Sequence, residues 1–330
     1  MPEKGFSEFK LMEEKNLIPA RRSLAEYLSV TLRGFLMGTA DAVPGVSGGT
    51  VALLVGIYEE LIQSIREVAD LRHLQRVFRL QFKNLLDELP WKFLLALVLG
   101  IFAGAISLAH LLENLLETQP LFVWAFFFGL VAASAVVVSR RVRVWRADNL
   151  LLLIGGAIIT YLVVGLVPMD TPDTVPAFFL SGMIAICAMI LPGISGAFIL
   201  VLLGKYQDVL AAVTGLDIPR LVVFLLGAVV GISLFSRVLG WLFRRFHDAT
   251  IALMIGLMIG SLRKLWPWKM ELPAADLAES YVNILPAWEV ETLLVAGLAV
   301  VGFGLVVGLE GLAARRKTVA KPFPVPAAED

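Results

Sequence analysis

Apolar residues in this 330-residue chain fall in blocks of about 20, and this feature restricts the fold more than any other. A helix rises about 1.5 Å per residue, so about 20 apolar residues cross a hydrocarbon core about 30 Å thick. Only 17% of the residues are charged, against about 25% in a typical soluble domain. The chain is therefore predicted to be an all-α polytopic membrane protein, with spans at 93–112, 121–139, 149–168, 221–243, 249–262 and 292–312.

Two further apolar segments, 34–62 and 178–211, are interrupted by Pro-Gly and Ser-Gly. Proline removes a backbone donor, and the glycine beside it weakens a helix further. A break at membrane depth is tolerated only where it is buried in protein or lines a wet cavity. Each segment is therefore predicted to be a broken helical hairpin, either re-entrant or made of two full spans.

The distribution of basic residues predicts the orientation, because cytoplasmic loops carry an excess of Lys and Arg. Most of the 28 basic residues lie in the amino-terminal segment 1–33, in 63–92, in 139–149, at 244–245 and in the tail 313–330. The remaining loops, 113–120, 169–176, 212–220 and 263–290, hold only Arg220, Arg263, Lys264 and Lys269. Both termini are therefore predicted to be cytoplasmic.

An internal repeat relates the two broken segments. Residues 43–62 (VPGVSGGTVALLVGIYEELI) align with residues 191–210 (LPGISGAFILVLLGKYQDVL) at an offset of 148, and seven positions are identical. Three spans follow each copy, and because three is odd, the second copy is predicted to lie upside down. This predicts an inverted-topology repeat, with repeat 1 at 34–168 and repeat 2 at 169–312. Broken helices at matching places point to a transport site at the membrane midplane; the alternative is a pair of structural hairpins packed through glycines.

The broken segments carry the residue types of an anion site. Ser47 and Ser195 follow Pro-Gly-x and precede a new apolar stretch, which is the N-cap position of a helix. The glycines beside them leave backbone N–H groups unshielded, and a helix start with such donors favours phosphate or carboxylate. The two starts are predicted to converge near the bilayer centre around one anionic head group. The predicted binding residues are Ser47, Gly48, Gly49, Thr50, Ser195 and Gly196, and the predicted hinge residues are Pro44, Gly45, Pro192 and Gly193.

Three charged residues lie near these segments. Asp41 is placed inside the membrane, where a carboxylate is costly and usually functional, so it is a candidate for proton coupling. Its repeat mate is Met189, so such a role is one-sided; the alternative is an acid hydrogen-bonded into the hairpin. Lys205 and Arg33 are candidates to attract an anion at the outer and inner mouths, with snorkelling and positive-inside anchoring as the alternatives.

Other chemistries have little support in the sequence. Residues 45–49 (GVSGG) match the G-x-S-x-G nucleophile pattern, but that motif acts on a strand–turn–helix of a hydrolase sheet, and the flanks here are membrane helices. No metal-ligand cluster, Walker motif or dinucleotide fingerprint is found in the sequence. No cofactor, metal or nucleic acid is therefore expected. The single cysteine, Cys187, excludes a disulfide within the chain.

Two motifs resemble a known family. Residues 34–50 (GFLMGTADAVPGVSGGT) and 187–206 (CAMILPGISGAFILVLLGKY) resemble the bacterial PopT family of polyprenyl-phosphate transporters, and the resemblance extends over about 30–312. It implies a multi-pass protein of the bacterial cytoplasmic membrane. Such a protein returns undecaprenyl phosphate, the lipid carrier of cell-envelope precursors, from the outer to the inner leaflet. A phosphate head needs donors at mid-membrane, and a prenyl tail needs a lateral opening to lipid, which agrees with the reading of the residues.

The leading hypothesis is therefore a lipid-phosphate translocase without enzymatic activity, with a proton or sodium as a candidate coupling ion. The second is an ion-coupled transporter of a small soluble anion. A membrane enzyme acting on lipid phosphate is disfavoured by the missing nucleophile–base pair, and a scaffold role comes last. Prenyl chain length, coupling ion and oligomeric state stay open.

Overall fold

Twelve helices and one short β-hairpin make up the described part of the chain. The computed structural model describes residues 22–41, 47–68, 89–166, 171–271, 281–287 and 289–319. Pro44, Gly45 and most of the predicted terminal segments lie outside these residues. In chain order the elements are α1 (Leu24–Asp41), α2 (Gly48–Leu54), α3 (Tyr58–Val68), α4 (Trp91–Thr118), α5 (Pro120–Ser139), α6 (Ala147–Val163), α7 (Val175–Ile190), α8 (Gly196–Leu202), α9 (Tyr206–Thr214), α10 (Ile218–Arg245), α11 (His247–Leu265), β1 (Lys269–Glu271), β2 (Tyr281–Asn283) and α12 (Val290–Val319).

Among the described residues, four helices are long and apolar enough to cross a membrane, so the chain is a multi-pass membrane protein. They match four of the predicted spans and contain Trp91–Leu108, Pro120–Ser139, Ile218–Arg245 and Val290–Gly308. The other two predicted spans are also helical. The one predicted at 149–168 is the shorter α6, which ends at Val163, and the one at 249–262 is α11, which carries Asp248 in its first turn and Arg263 and Lys264 in its last.

Each broken segment folds as one long helix followed by two short ones. The first comprises α1, α2 and α3, and the second comprises α7, α8 and α9; α8 and α9 meet at 111°. The first hairpin begins at Leu24 rather than near residue 34, since the helix extends into the amphipathic sequence before it. Each hairpin also has a second break, at Gly56 and at Gly204, which the sequence analysis did not predict.

The second break has the same backbone structure in both halves. Gly56 (φ 75°) and Gly204 (φ 63°), an identical pair of the repeat, adopt the left-handed conformation that glycine tolerates best. Each ends its short helix in a Schellman motif, with paired 5→2 and 6→1 bonds. The bonds are Gly56 N–H to Leu53 O (3.3 Å), Ile57 N–H to Ala52 O (3.0 Å), Gly204 N–H to Val201 O (2.9 Å) and Lys205 N–H to Leu200 O (2.8 Å).

Glycines bring the long helices together at corresponding places in the two halves. The main interfaces pair α1 with α4 and, correspondingly, α7 with α10. A Cβ on Gly100 would lie 2.1 Å from Thr31 O, and one on Gly227 would lie 1.9 Å from Phe179 O. Phe179 is the residue that the repeat offset pairs with Thr31. Close helix contact through small residues is the usual packing in membranes.

The last two spans of each half pack on spans of the other half. Helix α5 packs on α12, and α11 packs on α6, so the second span of one half contacts the third span of the other. A Cβ on Gly129 would lie 1.9 Å from Ala299 O, and one on Gly256 would lie 2.1 Å from Leu153 O. The two halves are therefore interlocked and do not form two separate bundles.

The contacts define two ends of the helix bundle. At the His247 end, Asp248 accepts bonds from Arg143 N–H (3.2 Å) and Val144 N–H (3.0 Å), which joins the α10–α11 junction to the loop after α5. At the Trp266 end, the Trp266 ring packs on Phe128 of α5 with centroids 5.6 Å apart. Helix α11 connects the two ends, which therefore lie about 28 Å apart along its 19 residues.

We expect Gly227→Ala to lower the stability of the folded protein by about 1–3 kcal/mol, because its Cβ has no room against Phe179 O. The control is Gly155→Ala, where a Cβ meets nothing within 4 Å and alanine favours the helix. Thermal unfolding of the purified protein in detergent measures both. A melting temperature for Gly227→Ala at or above that of Gly155→Ala would contradict the close helix contact.

Candidate functional site

The two predicted breaks meet inside the bundle. The first tip is residues 47–50 and the second tip is residues 189–196. Ser47 Oγ lies within hydrogen-bond distance of Met189 O (3.1 Å) and Leu191 O (3.2 Å). Thr50 Oγ1 accepts a bond from Gly193 N–H (2.9 Å). Both hydroxyl side chains are buried, so the tips are fastened directly to each other.

The start of α2 is capped as predicted, but its donors are already occupied. Ser47 Oγ accepts a bond from Gly49 N–H (3.1 Å), which is the predicted N-cap. Gly48 N–H donates to Asp41 Oδ1 (2.6 Å). The expectation that these two N–H groups are unshielded is therefore wrong in this structure. The physical reason is that a buried backbone donor needs an acceptor, and the neighbouring carboxylate supplies one.

The start of α8 differs from that of α2. Ser195 is again the N-cap, and its Oγ accepts a bond from Phe198 N–H (3.5 Å). Met189 stands where the first half has Asp41. The N–H groups of Gly196 and Ala197 have no hydrogen-bond acceptor in the described part of the chain. The first tip thus binds a carboxylate of the chain itself, and the second tip has backbone N–H donors at the same positions but no carboxylate beside them.

Pro192 and Gly193, the predicted second hinge, lie in the break between α7 and α8, and their role as a hinge stays a prediction. Gly193 has a φ of 88°, and a Cβ there would lie 2.8 Å from Leu257 O of α11, so both the backbone and the close contact require glycine. Pro192 beside it is buried. These two residues separate α7 from α8. Their predicted counterparts, Pro44 and Gly45, lie outside the described residues.

Arg33 and Asp41 both lie on α1, but in different surroundings. Asp41 is half-buried at the end of the helix and is bound to the first tip. Arg33 lies eight residues earlier, about 12 Å along the helix axis. It is half-buried and makes no ion pair or hydrogen bond with the residues that the structure describes. Arg33 therefore remains a candidate for attracting an anion.

Lys205 does not snorkel, because its side chain is only 2% exposed. Its Nζ lies 2.8 Å from Asp208 and 3.8 Å from Asp173, so its charge is paired within the chain. The sequence analysis did not predict these pairs, although Asp208 is only three residues away; Asp173 comes from the segment before α7 and meets Lys205 only through the tertiary fold. The role of Lys205 in attracting an anion stays a prediction.

Two contacts of the first hairpin were missed by the sequence analysis. The Tyr58 hydroxyl donates to Ile190 O (3.1 Å), and its side chain is fully buried. Arg141 Nη2 donates to Leu54 O (3.1 Å) at the end of α2, where a cation favours the negative helix end. The conservation of tyrosine between the two repeat copies was the available signal for the Tyr58 contact. Arg141 lies among the basic residues of 139–149, which were used only to predict membrane orientation.

Ion pairs hold the short helices at both ends of the bundle. At the His247 end, Arg22 Nη2 donates to Glu60 Oε2 (2.7 Å), and the guanidinium lies 5.0 Å from the Phe93 ring centroid. Asp208, the repeat mate of Glu60, binds Lys205. The acidic residue near the start of α3 and of α9 is thus paired in each half.

His247 joins α3 to the α10–α11 junction. Its Nε2 lies 3.5 Å from Glu59 Oε1, and its Nδ1 lies 3.2 Å from Asp248 Oδ1. The hydrogen bond to Glu59 raises the pKa of His247 above its usual value, against the opposing effect of burial. The stabilisation from this pair is therefore complete below the unfolded-state pKa and is lost as pH rises through the higher folded-state pKa. No group of three or more His, Cys, Asp and Glu residues suited to a metal ion occurs in the described ranges.

Together these features define a multi-pass membrane protein in which two broken helices meet tip to tip inside the bundle. Membrane transporters of several folds place their substrate sites between discontinuous helices of this kind. The known proteins that this chain resembles narrow the class further.

A family model described as VCA0040-like, undecaprenyl phosphate translocase-like, matches residues 37–282. A polyprenyl-phosphate transporter of Vibrio cholerae serotype O1 is 45% identical over 247 residues, which cover 74% of this chain and 80% of that protein. A polyprenyl-phosphate transporter of Staphylococcus aureus is 30% identical over 254 residues, 72% of this chain and 85% of that protein. No solved structure matches. The chain belongs to the undecaprenyl phosphate translocase-like family, which confirms the resemblance drawn from its two motifs; both relatives are named as transporters and not as enzymes.

We expect Tyr58→Phe to destabilise the folded protein by about 1 kcal/mol or more, because Ile190 O would be left buried without its donor. Tyr206→Phe is the matched control: it is the repeat mate of Tyr58, and its side chain is 39% exposed. Thermal unfolding in detergent compares the two. Equal melting temperatures would show that the Tyr58 bond between the hairpins contributes nothing.

Proposed function

We propose that this protein moves polyprenyl phosphate, and undecaprenyl phosphate in particular, from the outer to the inner leaflet of the bacterial cytoplasmic membrane. The phosphate head binds between the two hairpin tips. The observation that carries the proposal is the direct contact between the tips, through Ser47 and Thr50 on one side and the break at 189–193 on the other. Family membership supports the substrate, since both relatives are named polyprenyl-phosphate transporters.

The phosphate first binds at the second tip. Asp41, bound to Gly48 N–H at 2.6 Å, is an internal example of the anion that such a tip accepts. The repeat gives Gly196 the corresponding position and replaces Asp41 by Met189. The Gly196 donor is therefore left for an anion from outside the chain, with Ser195 beside it and the positive end of α8 behind it. Gly48, Gly49 and Thr50 of the first tip form the facing wall.

The second tip also lies next to a surface that suits a prenyl tail. Met189 is 39% exposed, and a Cβ on Gly196 would lie 3.2 Å from the Met189 Cβ. Leu180 and Ile184, at earlier turns of α7, are exposed as well. A tail lying along these apolar side chains stays in lipid while its phosphate reaches Gly196. This favours a lipid phosphate over the second candidate, a small soluble anion.

The inverted arrangement accounts for movement between leaflets. Helix α2 leads from the first tip towards Arg141 at the His247 end. Helix α8 leads from the second tip towards Lys205, which pairs with Asp173. Asp173 also pairs with Arg220 at the start of α10. Because α10 ends at the His247 end, its start and Lys205 lie at the opposite end of the bundle. These opposite directions support two halves of opposite orientation. The excess of basic residues in the loops at the His247 end supports a cytoplasmic location for that end and for both termini.

We expect Met189→Asp to weaken binding of undecaprenyl phosphate by about tenfold or more. The new carboxylate would occupy the Gly196 donor as Asp41 occupies Gly48, and a hydrogen bond to a charged group is worth about 1.5–3 kcal/mol. Met189→Asn, similar in size but uncharged, is the control and should bind almost as the parent does. Native mass spectrometry of the detergent-extracted protein, titrated with undecaprenyl phosphate at pH 8, measures binding.

Equal binding by the two Met189 variants would contradict a phosphate site at the second tip. The same titration with inorganic phosphate as competitor separates the two candidate functions. Inorganic phosphate that binds as tightly as the lipid would favour the transporter of a small anion.

Asp41 couples transport to the proton gradient in this proposal. When its carboxylate is ionised it holds Gly48 N–H, and when it is protonated or withdrawn it leaves that donor to the phosphate. Burial and loss of a partner both disfavour a charged carboxylate, so release and proton uptake belong together. The competing account is that Asp41 only caps the first tip.

We expect Asp41→Asn to keep undecaprenyl phosphate binding but to lose transport driven by a pH gradient, because asparagine retains the acceptor oxygen and cannot titrate. Asp148→Asn, an exposed acid in the first turn of α6, is the control. Transport into proteoliposomes with and without a pH gradient measures the effect. Asp41→Asn transport equal to that of the parent at every external pH would leave Asp41 as a structural cap.

A further inference from the structure

At the Trp266 end, Lys269 and Arg263 are each held by a backbone carbonyl and an aromatic ring, and Lys269 also has a second cation, Lys264, beside it. The Lys269 Nζ donates to Lys264 O (2.7 Å) and lies 3.9 Å from the centroid of the Trp124 ring. An ammonium group has three donors, and no carboxylate of the described residues pairs with this one. By contrast, Lys205 is held by Asp208, and Arg220 is held by Asp173.

We propose that Lys269 and Trp124 form a docking site for a phosphomonoester head group at the Trp266 end of the bundle. The site rests on the proposed function and deepens it: its ligand is the phosphate of polyprenyl phosphate before that phosphate reaches the hairpin tips. A compact ammonium group with free donors is a common ligand of phosphate, and the tryptophan face holds it in place by a cation–π contact.

The charge around Lys269 favours an anion. Burial, and to a lesser extent the positive charge of nearby Lys264, lowers the pKa of Lys269 to about 8. Two neighbouring cations in a partly dehydrated place repel each other, and a bound phosphate relieves that repulsion. Lys269 lies in β1, outside the membrane-spanning helices, and Trp124 is the fifth residue of α5, so a head group reaches the site from the interface.

The site is continuous with the second tip. Lys264 Nζ lies 5.0 Å from the ring of Phe198, a residue in the first turn of α8 whose N–H is capped by Ser195. Seven residues earlier on α11, about 10 Å along the axis, Leu257 contacts Gly193 of the same tip. A phosphate that leaves Lys269 therefore has a short path along α11 to Gly196.

Aromatic side chains favour a lipid as the source of the phosphate. The rings of Trp266 and Trp268 lie 5.4 Å apart, and Trp266 Nε1–H donates to Ile284 O (2.9 Å). Tryptophan concentrates at the level of lipid head groups, because one edge is polar and the rest is apolar. A phosphate held at this level leaves its prenyl tail in the hydrocarbon, whereas free phosphate gains nothing from the surrounding rings.

The test compares Lys269→Gln with Lys92→Gln. Lys92 is also stacked on a tryptophan, with Nζ 5.5 Å from the Trp91 ring, but it lies at the start of α4 near the His247 end. In proteoliposomes supplied with undecaprenyl phosphate, we expect Lys269→Gln to raise the half-saturating concentration by about tenfold with an unchanged maximal rate, since one charged hydrogen bond is lost. Lys92→Gln should leave both values unchanged, and Lys269→Arg should restore most of the affinity.

A second measurement separates this proposal from the tip site. The variant Met189→Asp should keep some binding of undecaprenyl phosphate, at Lys269. The double variant Met189→Asp, Lys269→Gln should lose this residual binding. An unchanged half-saturating concentration in Lys269→Gln, together with unchanged residual binding, would overturn the docking site while leaving the tip site to its own test. Displacement by inorganic phosphate as effective as by the lipid would also overturn it, because the site would then recognise free phosphate.

Discussion

The structure depends on one constraint: a helix broken inside a membrane protein must find an acceptor for each buried backbone donor. Each unmet group costs several kcal/mol in hydrocarbon, so a break persists only where partners are supplied. Here the first tip uses Ser47 and Asp41, and the second tip supplies its carbonyls to Ser47 and Tyr58. The tips stabilise each other, and for that reason the two hairpins meet in the same place.

Glycine contacts make this meeting possible. Contacts such as Gly100 with Thr31 O, and Gly227 with Phe179 O, bring the long helix of each hairpin onto the first span of its own half. The pairs α5–α12 and α11–α6, each of which joins helices of different halves, then hold the halves together. Corresponding backbone contacts therefore recur in the two halves, and the positions where the repeat differs are the candidates for function. Asp41 opposite Met189 is such a difference at the tips themselves.

The sequence was sufficient wherever the cause is local. Apolar length predicted the long spans, and the Pro-Gly-x-Ser pattern predicted the N-caps at Ser47 and Ser195, because each depends on a few neighbouring residues. It failed where the fold brings a side chain to a partner that the pattern does not reveal. Lys205 was predicted to snorkel or to attract an anion, but Asp208, three residues further on, and Asp173 pair with it. The Gly48 donor was expected to be open, but Asp41, seven residues earlier, accepts its bond. The breaks at Gly56 and Gly204 were visible only as an identical pair.

In the proposed mechanism, the energetic problem of moving a phosphate through the bundle becomes an exchange of anions. Gly48 N–H cannot lose Asp41 without a replacement, since an unpaired buried donor costs about 1–3 kcal/mol. A phosphate passed from the second tip supplies that replacement, and a proton on Asp41 removes the competing charge. The two steps compensate each other at the first tip, so Gly48 N–H keeps an acceptor while the head group changes tips. If both tips carried a carboxylate, this exchange of anions would not begin, because neither tip would be free to accept the phosphate first.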